Sequence, residues 1–207
     1  MIVKVCGMRV PQNIRAVEAL GVDWMGFIFY PRSPRYVGGL PVYLPVSAVR
    51  AGVFVDASPE EIVRQTERFA LGVVQLHGGE SPGFCRSLRE WLPAGTTVVK
   101  AIAMAGPGDV ERTEEYQDVC DYLLFETPSA AYGGSGRRFD WSLTERYRGA
   151  LPFVLSGGIG SESVEALRAL HHPRWAGIDL NSRFETAPGE KDAALIAEFL
   201  NTLKNRL

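Results

Sequence analysis

The chain has 207 residues, a length for one domain or at most two small ones. Its 22 basic and 24 acidic residues leave a net charge of −2, which argues against a nucleic acid or a membrane surface as partner, since either needs a clustered basic face. Three cysteines, Cys6, Cys85 and Cys120, form no Cys-x-x-Cys pair, so neither a zinc site nor a secreted disulfide framework is expected, and the reducing cytoplasm is the expected compartment.

The first segment, Met1-Ile2-Val3-Lys4-Val5-Cys6, is no basic leader, and no apolar run reaches about 18 residues, so no membrane crossing is expected. Strands are predicted at Ile2–Cys6, Met25–Phe29, Val49–Val55, Val73–Leu76, Val98–Ala103, Tyr122–Phe125, Phe153–Leu155 and Gly177–Leu180. Eight strands over this length give about 26 residues per unit, room for a strand, a helix and two short loops. Such alternation predicts a parallel sheet with right-handed crossovers, closed as a single (β/α)8 barrel spanning residues 1–207. A doubly wound sheet is the alternative, but it does not explain where polar residues fall on the strands.

Helix signals agree with the count. Ser58-Pro59-Glu60-Glu61 joins a capping serine to proline at the first helical position and glutamate at the third. Ser161 is placed to cap a helix carrying Val164, Leu167 and Leu170, and a last helix over about 191–203 sets Leu195, Ile196, Phe199, Leu200 and Leu203 on one face. The second unit is the exception. Two glycines and two prolines between Tyr36 and Val49 predict a short or missing helix.

In such a barrel the reactive groups lie at the carboxyl ends of the strands. Those ends read Cys6, Arg32 and Arg35, Asp56, His77, Glu126, Ser156-Gly157-Gly158, and Asp179-Leu180-Asn181-Ser182. Gly157-Gly158-Ile159-Gly160 follows the seventh strand and Asn181-Ser182 the eighth, the fold's usual phosphate position, where backbone N–H groups and a short helix after strand eight meet an anion. A Gly-Gly pair alone would equally make a tight turn. Gly133-Gly134-Ser135-Gly136 is either a solvent-exposed connector or a loop that closes over a ligand.

Position alone leaves Cys6 open as an inert small hydrophobe or a reactive thiol. Lys4 shares its parity along the strand, so its ammonium is expected beside the sulfur, drawing the thiol down towards neutrality. Cys85 and Cys120 read as packing, and His77 in Gln75-Leu76-His77-Gly78 is expected to line the pocket. His171 and His172 are adjacent and far from the strand tips, which disfavours a catalytic metal. No Gly-x-Ser-x-Gly elbow, Walker loop or Gly-x-Gly-x-x-Gly opening occurs, so serine hydrolysis, NTP and dinucleotide chemistry are not expected.

Lys4-Val5-Cys6-Gly7-Met8-Arg9 resembles the N-terminal signature of the phosphoribosylanthranilate isomerase family of tryptophan biosynthesis. The resemblance continues through Gly26–Tyr36, Gly52-Val53-Phe54-Val55, Gln75–Gly78, Tyr132–Gly136, Leu155–Ile159 and Gly177–Ser182, and ends at Pro188-Gly189-Glu190-Lys191-Asp192. It implies a cofactor-free Amadori rearrangement of N-(5-phosphoribosyl)anthranilate, a small phosphosugar, by a monomer or homodimer. By resemblance Cys6 is the base, Arg35 meets the anthranilate carboxylate, Asp179 lies near the substrate's amine and hydroxyls, and Gly157, Gly158, Asn181 and Ser182 hold the phosphate.

Two positions depart from the family. Its acid is an aspartate at the end of strand six, where this chain has Glu126, still expected to be the acid but one methylene longer. Arg183 stands where the family commonly has glycine, and either adds charge to the phosphate site or points to solvent. The nearest alternatives are the histidine-pathway aminoaldose isomerase, which would use paired aspartates, a flavin-phosphate barrel, and a non-catalytic phosphate-binding barrel.

Overall fold

The computed structural model describes residues 1–128 and 139–204. Strands β1 (Ile2–Cys6), β2 (Trp24–Ile28), β3 (Val49–Phe54), β4 (Val73–Leu76), β5 (Thr97–Ala103), β6 (Tyr122–Glu126), β7 (Phe153–Leu155) and β8 (Trp175–Leu180) run parallel and close into a barrel in chain order. Helices α1 (Pro11–Glu18), α2 (Pro59–Phe69), α3 (Pro82–Trp91), α4 (Pro107–Glu111) and α5 (Val164–Ala169) lie between strands. After β8 comes a two-stranded hairpin, β9 (Glu185–Ala187) and β10 (Glu190–Lys191), and then α6 (Ala193–Lys204). The eight-stranded barrel expected from the sequence is therefore the one formed. The glycine-rich segment Gly133–Gly136 lies outside the described residues.

Local chemistry explains the helix starts. Proline opens α1, α2, α3 and α4, where its missing N–H costs nothing. Ser58 caps α2 by accepting from the Glu61 N–H at 3.3 Å, and Ser81 caps α3 by accepting from Phe84 at 3.2 Å. The unit after β7 is less regular than expected, with a 3-10 turn at Ser161–Ser163 ahead of α5 and Leu170 at its end. The last helix starts two residues later than expected, because Lys191 is taken into β10 and buried there.

No helix forms between β2 and β3. A carboxylate does the holding instead. Glu18, at the end of α1, accepts from the Tyr43 hydroxyl, from the Val46 and Ser47 N–H groups at 2.6 Å each, and from the Ser47 hydroxyl at 2.7 Å. The segment thereby keeps Val37 and Ala48 buried against the barrel.

Side chains alternate across each strand, so one parity of every strand fills the barrel. Its lower interior is an apolar plug of Trp24, Ala51, Val73, Val99, Ala101, Leu124 and Val154. On β1 the next inward positions are Lys4, in register with both Trp24 and Asp179, and then Cys6, in register with Gly26. Apolar filling thus gives way to polar groups at the carboxyl ends.

Burial pushes the Glu18 carboxyl up, but its bonds from Tyr43, Ser47 and Val46 outweigh this and hold it at about 2, below the ordinary 4.5. A lowered folded value means its hold on the segment is complete above about pH 4.5 and is lost as pH falls towards 2. Limited proteolysis is expected to cut residues 36–48 in wild type only as pH drops through that window, and in Glu18→Gln already at neutral pH. Equal resistance of both proteins at pH 7 would contradict the anchoring role.

Candidate active site

Cys6, Gln75, His77, Glu126, Ser156, Asp179 and Asn181 meet in one cavity at the carboxyl end of the barrel, about 820 Å³ counted out to its open mouth. That size suits a small organic ligand. Arg35, Gly157, Gly158, Ser182 and Arg183 also line it, so His77 and every residue to which the resemblance gives a role are brought together. Arg32 and Asp56, also at strand ends, do not line it. The Asp56 carboxylate turns back to accept from the Gly79 N–H at 2.7 Å.

Cys6 is buried at the end of β1. Glycine is required opposite it, because a β-carbon on Gly26 would stand 2.7 Å from the Cys6 sulfur. Lys4 is fully buried one inward position below, its Nζ donating to Asp179 Oδ1 at 2.9 Å. Asp179 Oδ2 in turn accepts from the Ser156 hydroxyl at 3.2 Å.

The expectation that Lys4 would draw the thiol towards neutrality is overturned. Burial pushes the Cys6 thiol above its ordinary value, Lys4 pulls it down, and Asp179 pushes it up again. A lysine whose charge is matched by a carboxylate at 2.9 Å offers a neighbouring sulfur only part of its field. At rest Cys6 is therefore a protonated thiol, although Lys191 also pulls it down.

Across the cavity His77 and Glu126 form a pair, Nε2 standing 2.9 Å from Oε2 without hydrogen-bond alignment. His77 Nδ1 lies 2.7 Å from Gln75 Nε2, and since an amide nitrogen can only donate, Nδ1 is the acceptor and Nε2 carries the ring proton. Gln75 was not singled out from the sequence. Its Oε1 is buried with no hydrogen-bond partner, an exception of the kind functional sites accept.

Gly157 and Gly158 both hold left-handed backbone, φ +85° and +68°. At Gly157 a β-carbon would also stand 2.4 Å from Thr127 Oγ1, so the close approach of β7's loop to β6 admits glycine alone. With Ser182 and Arg183 beside them, these residues are at the phosphate position of the fold. A 3-10 turn of three residues, Ser182–Phe184, follows β8 where a short helix was expected. Arg183 lines the cavity about half-exposed, its Nη1 3.8 Å from Glu162. Among the described residues no cluster of His, Cys, Asp and Glu is arranged to hold a metal ion.

Residues 3–202 match the family model of N-(5′-phosphoribosyl)anthranilate isomerase. The chain belongs to this family.

Its similarity to the N-(5′-phosphoribosyl)anthranilate isomerase of Phocaeicola vulgatus is 50% identity over 207 residues, all of both chains. Among solved structures it is similar to a phosphoribosylanthranilate isomerase in complex with reduced 1-(o-carboxyphenylamino)-1-deoxyribulose 5-phosphate, at 32% identity, TM-score 0.79 and 99% coverage of each chain. It is likewise similar to monomers generated from the dimeric Thermotoga maritima enzyme, at 33% identity, TM-score 0.79 and the same coverage. Membership makes the chain an isomerase of tryptophan biosynthesis.

One partnership in this phosphoribosylanthranilate isomerase site escaped sequence reasoning. Arg35 does not stand free over the cavity: its Nε and Nη2 clamp Glu185 of β9, the shortest bond being 2.6 Å. Arg35 and Glu185 are 150 residues apart, so no local pattern announces the pair.

Because the Cys6 thiolate is the reactive form, alkylation of Cys6 by iodoacetamide is expected to rise with pH to a midpoint above the reference thiol value of about 8.5. Lys4→Met should move that midpoint higher still. A midpoint near neutrality, read by mass spectrometry of the β1 peptide, would contradict the burial argument.

Proposed function

We propose that this chain carries out its family's Amadori rearrangement with Glu126 as the acid and Cys6 as the base. N-(5-phosphoribosyl)anthranilate is the substrate and 1-(2-carboxyphenylamino)-1-deoxyribulose 5-phosphate the product. The observation that carries this reading is that the thiol and the carboxyl line one cavity whose rim holds the two left-handed glycines.

Protonated Glu126 gives its proton to the furanose ring oxygen. The bond from that oxygen to C1 breaks, and the nitrogen lone pair closes the C1=N double bond of a cationic Schiff base. The Cys6 thiolate then takes the proton from C2. The C–H electron pair forms C1=C2 and neutralises the nitrogen, giving an enolamine. Return of a proton to C1 and loss of the enol proton give the ketone, so atoms and charge balance with no outside reductant.

The surroundings suit these roles. The charges of Lys4 and Lys191 favour the thiolate once formed, while burial keeps the resting thiol protonated. A base of this kind is scarce but strong. Arg35 is the partner for the anthranilate carboxylate, and Gly157, Gly158, Asn181 and Ser182 hold the phosphate, with Arg183 adding charge at the rim. Asp179, both oxygens already engaged by Lys4 and Ser156, acts on the substrate through the polar wall it organises. Glu126 reaches His77, which steadies the longer side chain at the place where the family has aspartate.

The working assembly is a monomer or a homodimer, the latter being the state described for the Thermotoga maritima relative. Three unbridged buried cysteines suit a reducing cytoplasm.

Loss of the acid is expected to lower kcat by roughly 10²–10⁴-fold in Glu126→Gln, the usual scale for a general acid. Glu126→Asp should retain far more activity. Turnover followed by the loss of substrate fluorescence checks this, and wild-type kcat in Glu126→Gln would remove the assignment. Arg183→Gly should raise KM by roughly three- to tenfold, modest because the charge is half-exposed, with kcat unchanged. An unchanged KM would assign Arg183 to solvent.

A further inference from the structure

Behind the cavity wall lies a second set of buried charges. Glu185 receives Arg35 Nε at 2.8 and 3.0 Å and Nη2 at 2.6 Å, and Lys191 Nζ at 2.6 Å. The Gly189 N–H adds a further bond at 3.0 Å, tying the hairpin turn to the same carboxylate. Lys191 Nζ also donates to Asn181 Oδ1 at 2.7 Å. Side-chain exposure is 5% for Glu185 and 0% for Lys191, yet neither lines the cavity.

Two cations share one carboxylate here. Lys4 and Asp179 cancel each other nearby, so the group of Arg35, Lys191 and Glu185 keeps one positive charge in surplus. A buried surplus charge is costly unless an anion meets it. Arg35 carries it to the cavity surface, where it and the neutral Asn181 close over Gly7, with Arg35 Cδ 2.7 Å and Asn181 Oδ1 3.1 Å from where a β-carbon would stand. With Nε and Nη2 held by Glu185, the guanidinium cannot turn, and its remaining edge has a fixed direction.

The opposing forces on this group agree with the geometry. Burial pushes the Glu185 carboxyl up, but Arg35 and Lys191 outweigh it and hold it below the ordinary range. Burial lowers Lys191 against the pull of Glu185. The backbone of Lys191 is pinned as well, its N–H donating to Asn13 Oδ1 at 2.8 Å and its carbonyl accepting from Asn13 Nδ2 at 2.7 Å.

We infer that Glu185 and Lys191 are positioning residues for a carboxylate on the substrate: Glu185 fixes the edge that Arg35 presents, and Lys191 supplies the surplus positive charge. The inference deepens the reading of Arg35 given above and rests on it. The bracket reaches the phosphate end of the ligand through Asn181, which accepts from Lys191 Nζ at 2.7 Å, whereas Glu185 makes no such link. Specificity for an aryl carboxylate would then be built partly by side chains that never touch it.

Two ligands separate the possibilities: 1-(o-carboxyphenylamino)-1-deoxyribitol 5-phosphate and its phenylamino counterpart without the carboxylate. Both are titrated calorimetrically into wild type, Arg35→Ala, Glu185→Gln, Glu185→Asp and Lys191→Met. Wild type is expected to prefer the carboxylated ligand by about tenfold or more, the scale of a charge-assisted bond. Glu185→Gln, which releases the guanidinium edge, should lose most of that preference while binding the phenylamino ligand within about twofold of wild type; Lys191→Met should lose it too, on top of a loss common to both ligands through Asn181. Glu185→Asp, which keeps the charge but withdraws it by one methylene, should fall between.

Retained binding of the phenylamino ligand shows that each variant is folded. Equal weakening of both ligands, or an undiminished preference in Glu185→Gln, Glu185→Asp and Lys191→Met, overturns the inference. If Arg35→Ala loses the preference while those three keep it, only the bracket fails. If Arg35→Ala keeps it, the carboxylate role of Arg35 fails and the inference falls with it.

Discussion

A lysine and an aspartate buried inside the barrel, Lys4 on β1 and Asp179 on β8, set the terms for everything above them. They stand in register on neighbouring strands, 2.9 Å apart, where the apolar plug ends. Neither charge is tolerable there alone, and removing one partner of such a pair costs about 3–5 kcal/mol. Together they cap the hydrophobic filling with a neutral polar layer, and the reactive groups stand upon it. Cys6 follows Lys4 at the next inward position, and Ser156 is tied to Asp179 from β7.

That arrangement explains why the thiol is not an activated nucleophile of the usual kind. An unmatched ammonium in the same place would draw the thiol down more strongly. Matched by Asp179, it leaves burial dominant and the thiol protonated. Only its scarce thiolate takes a proton from carbon, and the thiolate of a thiol held above its ordinary value is the stronger base. The opposite wall works differently: Glu126 is partly exposed and paired with a histidine whose orientation an amide fixes. Two walls of unlike solvation suit an acid and a base that must act within one turnover.

Much of this was legible in the sequence because strands announce themselves by short apolar runs and barrels put chemistry at strand ends. Ile2–Cys6, Val73–Leu76 and Phe153–Leu155 have the expected bounds, and the other strands shift by one or two residues. The missing second helix was readable from its glycines and prolines. What replaces it was not, since the bonds of Glu18 to residues 43–47 cross from one unit to the next. Lys191 was expected in the last helix because the apolar stripe begins near it, but the turn at Gly189 draws it into a hairpin and buries its ammonium. Strand parity told correctly which side Lys4 and Cys6 face. It says nothing of depth, or of a carboxylate 175 residues away, and those two facts reverse the direction of the thiol's shift.

The proton abstraction assigned to the sulfur is the centre of this account. Single-turnover kinetics of Cys6→Ala on N-(5-phosphoribosyl)anthranilate, followed by fluorescence, test it most directly. The predicted result is a rate constant lower by roughly 10²–10⁴-fold, the scale of a lost general base, with ligand affinity close to wild type. A rate within about threefold of wild type would contradict it, because the sulfur would then not be the group that takes the proton from C2.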